Sequence, residues 1–286
     1  MSAVIFGIMP IAAKIIYSNG SNPLTLTFHR FLFSIPCLFL MCNFSKTKII
    51  FPSRVYFMEL ITLALGYTIT PLLLFISYSY IASGLATTVH FVYPVLVLLG
   101  CTIFFREKIN KIQFFCCVLC LSGICAFSTP GNEANITGIV IAFASGLTYA
   151  FYIIVLAKSG MNGISSTILG LYLAIIAAVI LLLVNLILGT LTFALTPNGW
   201  ILSILFGVGT SGFATVLFQM GVSDIGPQNG ALLSTFEPLT SIFAGVLLLG
   251  ETISFSTVVG VICILTAIIL LTAHDRTSKQ MKINSK

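Results

Sequence analysis

The sequence predicts an all-α polytopic membrane protein with ten transmembrane helices in two inverted five-helix repeats. Three observations support this prediction: the scarcity of charge, ten long apolar runs, and residues that recur at one fixed offset. Hydrophobic residues make up 58% of the 286 positions and charged residues 7%, whereas a soluble domain carries about 25% charged residues. Because so few charges cannot cover a surface in water, most of the surface is expected to face lipid. This composition disfavours a soluble enzyme, a nucleic-acid binder and a secreted disulfide scaffold.

Ten apolar runs give the predicted helices. They are continuous and approach the roughly 20 residues that a membrane helix needs, whereas barrel strands would alternate every second residue. The first run is short, and it lacks the basic segment and the small-residue cleavage site of a signal peptide, so we expect it to be retained. The predicted spans are Ala3–Tyr17, Leu24–Cys42, Val55–Tyr78, Leu85–Phe105, Ile112–Phe127, Ile136–Ala157, Thr167–Leu188, Trp200–Val222, Asn229–Leu249 and Ser256–Ala273.

Short polar segments separate these runs. Ser18–Pro23 (SNGSNP) lies between the first and second spans, and Thr129–Asn132 (TPGN) lies near the middle of the chain, and both are rich in residues that end or begin helices. No connecting segment exceeds about a dozen residues, which leaves no room for a soluble domain. An ATP-binding cassette is excluded because the chain has no G-x-x-x-x-G-K-[ST] loop.

The basic residues predict the orientation. Eleven of the 13 basic residues lie in segments that follow even-numbered spans, and the other two, Lys14 and Arg30, lie inside spans. Because cytoplasmic loops are enriched in Lys and Arg, this distribution predicts a cell-membrane protein with both termini in the cytoplasm. The eleven residues are Lys46, Lys48, Arg54, Arg106, Lys108, Lys111, Lys158, Arg276, Lys279, Lys282 and Lys286.

Three residues recur at an offset of 144 positions: the pairs are Pro94 with Pro238, Glu107 with Glu251 and Lys14 with Lys158. This offset contains five spans, and an odd number of spans turns the second unit upside down relative to the first. Inverted repeats are common in secondary transporters, with the substrate site near the midplane; a duplication without a transport function is the alternative. We expect the first repeat in residues 1–128, the second in 136–273, and a basic cytoplasmic tail in 274–286.

Small, proline and charged residues also follow a recognisable order along the chain. They are Gly7 and Lys14, then Pro23 and Arg30, then Ala82-Ser83-Gly84-Leu85-Ala86, Pro94 and Glu107, and finally Glu237-Pro238 and Gly250-Glu251. In this order and spacing the whole chain resembles the EamA family of the drug/metabolite transporter superfamily. The resemblance implies ten helices in two inverted repeats and the movement of small metabolites, often outward. One departure is Phe6-Gly7, where the family usually has Trp-Gly.

Ionisable residues inside spans mark function by default, because their burial in lipid is costly. Glu237 shares a helix stripe with Ser234 and Ser241, and we predict that this stripe faces a wet cavity; a structural glutamate capped by neighbouring donors is the alternative. Glu237 precedes Glu251 by 14 residues, about 21 Å along a helix. With Glu251 at the cytoplasmic end, Glu237 is expected in the outer half. Pro238 weakens the local backbone ladder and can permit a kink.

The repeat places two further candidates in span four. Subtracting 144 from Ser234 and Glu237 gives His90 and Tyr93, and Thr87 lies one turn earlier on the same face. Histidine titrates near neutral pH, and tyrosine offers both a ring and a hydroxyl. Both residues are therefore candidates for contact with a substrate or a proton, with a packed, hydrogen-bonded histidine as the alternative.

Two basic residues lie inside spans. Arg30 lies about 9 Å into span two and remains charged, so it needs a partner or water. An Arg30–Glu237 ion pair and a contact with an anionic substrate group both remain open; the family resemblance adds only that an arginine is usual here. Lys14 is expected to extend to the outer interface in a structural role. The candidates for substrate binding or coupling are Glu237, His90, Tyr93, Ser234 and Arg30.

Small residues recur in spans six and eight and predict close helix packing, with sliding surfaces as the alternative. They are Gly138, Ala142, Gly146, Ala150, Gly207, Gly209 and Gly212.

Together these features predict a secondary active transporter that exports a small metabolite, such as an amino acid, an amine or a drug-like compound, by alternating access. A facilitative channel or uniporter and an intramembrane enzyme are the alternatives. The expected partners are a small-molecule substrate and the lipid bilayer, with protons as a candidate coupling ion and no nucleic acid. No cofactor and no metal site are predicted, since Cys117 and Cys120 lie on an apolar helix and no catalytic motif occurs.

Overall fold

The computed structural model describes residues 1–44, 54–106, 109–127, 135–159, 164–215, 217 and 236–284. These residues form helices joined by short connections, without a β-strand. The elements are α1 Ser2–Ser18, α2 Pro23–Phe44, α3 Arg54–Ser77, α4 Ser83–His90, α5 Tyr93–Phe105, α6 Lys111–Phe127, α7 Ile136–Lys158, α8 Ser166–Leu188, α9 Pro197–Gly207, a π-helical segment Val208–Ala214, α10 Phe236–Leu249 and α11 Phe255–Asn284.

Many of these helices have the length and composition of membrane spans. Large apolar side chains lie on the outside of the bundle, where Ile187 is 81% and Phe104 is 77% exposed, so the surface fits lipid and not water. The chain is therefore a multi-pass membrane protein. Within the described residues, six segments are long and apolar enough to cross a membrane, and three apolar helices are shorter. The six are Pro23–Phe44, Phe57–Ser77, Ser83–Phe105, Ile136–Ala157, Ser166–Leu188 and Phe255–Ala273, and the shorter three are Ser2–Ser18, Lys111–Ala126 and Phe236–Leu249.

The predicted fourth span is divided in two. α4 ends at His90, and α5 begins at Tyr93 with Pro94 in its first turn. Pro94 has no N–H to donate to the carbonyl of His90, four residues earlier, and its ring crowds that carbonyl. The freed oxygen lies against α7, where a Cβ at Gly146 would come within 2.9 Å of it. The break therefore places His90 at a helix end inside the protein.

The last helix is longer than predicted. α11 continues past Ala273, the predicted end of the tenth span, to Asn284. The backbone of the predicted basic tail is therefore largely a continuation of this helix.

Helix pairing forms a regular pattern. α1 packs on α10, and α7 packs on α3, α4 and α5, while α2 packs on α8, α6 on α11 and α4 on α10. α9 and the π-helical segment pack on α1 and α2. Every one of these pairs joins a helix of the first half of the chain to a helix of the second half, so the two halves share one interior.

Glycines of the eighth predicted span allow close contact with α2. A Cβ at Gly207 would lie 3.0 Å from the backbone oxygen of Arg30, and one at Gly212 would lie 2.8 Å from Cys37 Sγ. A Cβ at Gly209 would meet no atom within 4 Å. Gly207 and Gly212 therefore mark the face that packs on α2, and Gly209 lies on an open face.

This difference predicts that Gly207→Leu destabilises the protein by roughly 1–3 kcal/mol, because the added side chain forces α2 and α9 apart. Gly209→Leu is the matched control, since its side chain enters open space. The measurement is thermal unfolding of both purified variants in detergent. Equal unfolding temperatures for the two variants would contradict the packing described here.

Candidate functional site

Arg30 projects from α2 into the interior, where a hydroxyl and aromatic rings surround its charge. Its Nε donates to Ser211 Oγ in the π-helical segment at 2.8 Å, and its guanidinium carbon lies 5.5 Å from the ring centroid of Phe75 and 5.7 Å from that of Phe31. Aromatic faces attract cations at such distances. Arg30 is therefore held in place without direct contact to a carboxylate of the described residues.

Glu237 lies half-buried in the first described turn of α10. It forms no direct ion pair with Arg30, so that hypothesis is wrong as a contact, although the two charges interact electrostatically at longer range. Its carboxylate makes no hydrogen bond with the described residues. The backbone here packs closely on α1, where a Cβ at Gly7 would lie 2.8 Å from the Glu237 carbonyl oxygen. The backbone of α10 at Glu237 is thus held close to α1.

His90 is buried at the end of α4, beside α7. Its Nδ1 lies 2.9 Å from Ser145 Oγ, and the Ser145 hydroxyl donates to the Ala142 carbonyl at 2.6 Å. Because that hydroxyl proton is already used, Ser145 accepts from His90, and the Nδ1 atom carries the proton. The ring centroid of His90 lies 5.5 Å from that of Tyr149 and 5.8 Å from that of Tyr93. His90 is therefore a packed, hydrogen-bonded residue next to two tyrosines.

Tyrosines from three helices form a continuous aromatic wall between His90 and Arg30. The ring centroids of Tyr93 and Tyr149 lie 4.7 Å apart, those of Tyr149 and Tyr152 5.9 Å, and those of Tyr152 and Tyr67 5.7 Å. Tyr67 in turn lies 5.2 Å from Phe31, whose ring also faces Arg30. The interior thus combines two opposite charges with rings that suit a partly apolar ligand.

Several of these residues are absent from the sequence-based candidates. They are Tyr67, Tyr149, Tyr152, Ser145 and Ser211. Tyr149 and Tyr152 lie three positions apart on a helix whose small residues predict close packing. This spacing was the sequence feature that could have identified the two tyrosines as members of the site. Ser211 is one of many serines in the chain, and nothing in its sequence context indicates a contact with Arg30.

Of the predicted stripe around Glu237, one member is described. Ser241 is buried, and its hydroxyl lies 3.3 Å from that of Thr87 on α4. The faces that the repeat predicts on spans four and nine therefore meet at this point. Ser234, and the turn before Glu237 where Pro238 was expected to permit a kink, lie outside the described residues.

At one end of the bundle, an ion pair joins three helices. Lys14 Nζ on α1 lies 2.7 Å from Glu251 Oε1, just after α10, and also donates to the Ile81 carbonyl at 3.3 Å. The Glu251 carboxylate accepts from Ser83 N at 3.0 Å and Ser83 Oγ at 2.8 Å, at the start of α4. We call Lys14, Glu251 and Ser83 the clasp.

The clasp corrects two expectations. No charged partner was predicted for Lys14, yet its ammonium group pairs with the Glu251 carboxylate, which offsets the cost of placing both charges among apolar helices. Glu251 was expected at the cytoplasmic end and Lys14 at the outer end, yet the two side chains are in contact. Since both lie at the same end of the bundle, these two placements cannot both hold, and the depth of Glu237 stays a prediction.

The apolar outer surface of the helix bundle defines the class of protein, which is a multi-pass membrane protein. Its charged and aromatic interior suits a polar ligand. The model of the EamA-like transporter family matches residues 1–129 and again residues 136–273. The chain belongs to this family. Its membership and its relatives point to a membrane transporter and not to an enzyme.

The relatives carry transporter names. An uncharacterized transporter of Archaeoglobus fulgidus is 25% identical over 281 residues, which is 94% of this chain and 93% of that protein. The uncharacterized transporter YwfM of Bacillus subtilis is 26% identical over 57% of this chain, and one encoded in the trpA 3' region of Buchnera aphidicola is 30% identical over 39%. These two matches span only 55% and 36% of the relatives' own lengths.

A solved crystal structure shares the fold. It covers 96% of this chain and 96% of its own chain, with a TM-score of 0.67 and 17% sequence identity. At this identity, the likeness concerns the fold alone.

The clasp predicts a measurable coupling. Lys14→Met and Glu251→Gln are each expected to destabilise the protein by about 1–3 kcal/mol, because each leaves a partly buried group without its partner. The double variant should lose less than the sum of the two. Thermal unfolding in detergent measures all three, with Lys111→Met, an exposed lysine at the start of α6, as the control. Simple additivity of the two losses would show that the contact is energetically unimportant.

Proposed function

We propose that the protein is a secondary active transporter that exports a small metabolite, such as an amino acid, an amine or a drug-like compound, by alternating access. One observation carries the proposal: Arg30 and Glu237 bring opposite charges into the interior of a membrane bundle without forming a direct ion pair. Charges inside a membrane are costly and usually serve a substrate or an ion path. The tyrosine wall beside them supports a ligand with an apolar part as well as a charge.

Glu237 is the proposed coupling or binding group. Its carboxylate has no hydrogen-bond partner among the described residues, so it is free to accept a proton or a substrate ammonium group. Arg30 is proposed to remain charged and to attract an anionic group of the substrate or, from a distance, the Glu237 carboxylate. His90 and Tyr93 are proposed to line the same interior from the side of α4 and α5, and Ser234 is proposed to belong to the Glu237 stripe.

The helix pairing supports two inverted repeats. Two repeats of five spans would make spans one and six equivalent, and likewise spans four and nine. The contact of span one with span nine then corresponds to the contact of span six with span four, and both contacts occur. The second–seventh, fifth–tenth and fourth–ninth pairs each map onto themselves and also occur. The two separate family matches have similar lengths. We therefore propose that residues 1–128 and 136–273 are the repeats that move against each other.

Glu237→Gln tests the coupling role. In proteoliposomes the variant should lose gradient-driven transport by about tenfold or more, since the amide can neither ionise nor exchange a proton. The substrate for this assay comes from a metabolite-toxicity screen in an overexpressing strain. Glu59→Gln in α3 is the matched control for loss of a carboxylate. Full gradient-driven transport by Glu237→Gln would remove Glu237 from the mechanism, and flux that does not saturate would favour a channel.

The distribution of basic residues supports a cytoplasmic location for both termini. A reporter that is active only in the cytoplasm should therefore be active when fused to either end of the chain in cells. A reporter that is active only outside should be silent at both ends. Opposite results at the two termini would contradict an even number of spans and the proposed topology.

A further inference from the structure

A groove of about 990 Å³ opens between α10 and α11 on the side of the bundle. The two helices are consecutive, yet each packs on α4, and they make little direct contact with each other. The walls carry Leu239 and Val246 from α10 and Val258 and Ile262 from α11, which are 40–58% exposed. In a membrane protein such walls face the acyl chains.

The groove ends at the clasp. Lys14 and Glu251 line this end, together with the hydroxyl residues Ser254 and Thr257 at the start of α11. Glu251 is occupied, because both of its oxygens accept hydrogen bonds from Ser83 in addition to the contact with Lys14. An ammonium group has three N–H donors, and the described residues accept two of those on Lys14. Lys14 therefore has one N–H group left to donate to a ligand at this end of the groove.

The connection between α3 and α4 also lines this end of the groove, where the Tyr78 side chain is 2% exposed. Because the Tyr78 hydroxyl is enclosed by protein, Lys14 is the group that offers a hydrogen bond to an occupant here.

We propose that this groove binds a phospholipid, with an acyl chain between α10 and α11 and the headgroup phosphate at Lys14. Three features favour this occupant. The walls are apolar and open to the bilayer, the free hydrogen-bonding capacity suits an acceptor such as phosphate, and the polar end lies where the helices end, at the level of the headgroups. The volume lies at the upper end of the range for sites that hold small molecules. This site is separate from the proposed transport site and does not depend on it.

The test uses the full-length protein purified in detergent, with lipid binding followed by native mass spectrometry. Phosphatidylglycerol should bind and raise the unfolding temperature. Diacylglycerol, which lacks the phosphate, and inorganic phosphate, which lacks the acyl chains, should each do neither. Lys14→Gln should weaken phosphatidylglycerol binding about fivefold, since one lysine contributes about 1 kcal/mol to binding a lipid headgroup.

Variants that fill the groove distinguish lipid bound in this site from lipid bound elsewhere on the apolar surface. Val258→Trp should weaken phosphatidylglycerol binding about tenfold by occupying the cleft. Ile269→Trp is its control, since Ile269 is 45% exposed on the same helix but does not line the groove. Val246→Trp repeats the test from α10, in case Val258→Trp unfolds the protein.

Three outcomes would overturn the proposal. Equal binding by Val258→Trp, Val246→Trp and Ile269→Trp would mean that the lipid lies elsewhere. Binding of diacylglycerol as strong as that of phosphatidylglycerol would remove the role of the phosphate. A dimer that both groove variants break, without loss of bound lipid, would assign the groove to a second copy of the chain.

Discussion

A charge surrounded by hydrocarbon needs compensation inside the protein, and this constraint shapes the interior of the bundle. Arg30 is compensated by the Ser211 hydroxyl and by two aromatic rings. Lys14 and Glu251 compensate each other at the start of α4. Each arrangement connects helices from distant parts of the chain, so the few charges fix how the helices meet. Glu237 is the exception among the described residues, since its carboxylate has neither an ion pair nor a hydrogen bond there, and this supports its proposed role in ligand binding or coupling.

Irregular backbone brings polar groups into the same interior. Pro94 divides the fourth span and leaves His90 at a helix end, and the π-helical segment carries Ser211 to Arg30. Within a membrane, such irregularities persist only where protein surrounds them. Gly146 and Gly207 provide that surrounding, because each allows a neighbouring helix to approach to backbone contact. The polar interior and the close packing are therefore two aspects of one arrangement.

The sequence indicated the ionisable members of the candidate site and, through the repeat, Tyr93 and Ser234, but it missed several other neutral members. Arg30, Glu237 and His90 are identifiable because ionisable residues are rare in apolar runs. Tyr149 and Ser211 are common residue types on apolar helices, and only packing shows that one faces His90 and the other binds Arg30. The depth of Glu237 stays a prediction for a related reason, since it depends on which side of the membrane the end that holds Glu251 faces.

The sequence by itself determined the membrane class, the helical content and most of the helix positions, because hydropathy is a local property of the chain. The family resemblance was equally accessible, since it depends on the order and spacing of residues. Tertiary structure decided which faces meet, and therefore which groups compensate one another. Lys14 and Glu251 are 237 positions apart, and no local pattern specifies their contact. That contact, and the approach of Phe75 and Ser211 to Arg30 from other helices, follow only from the simultaneous packing of both halves of the chain.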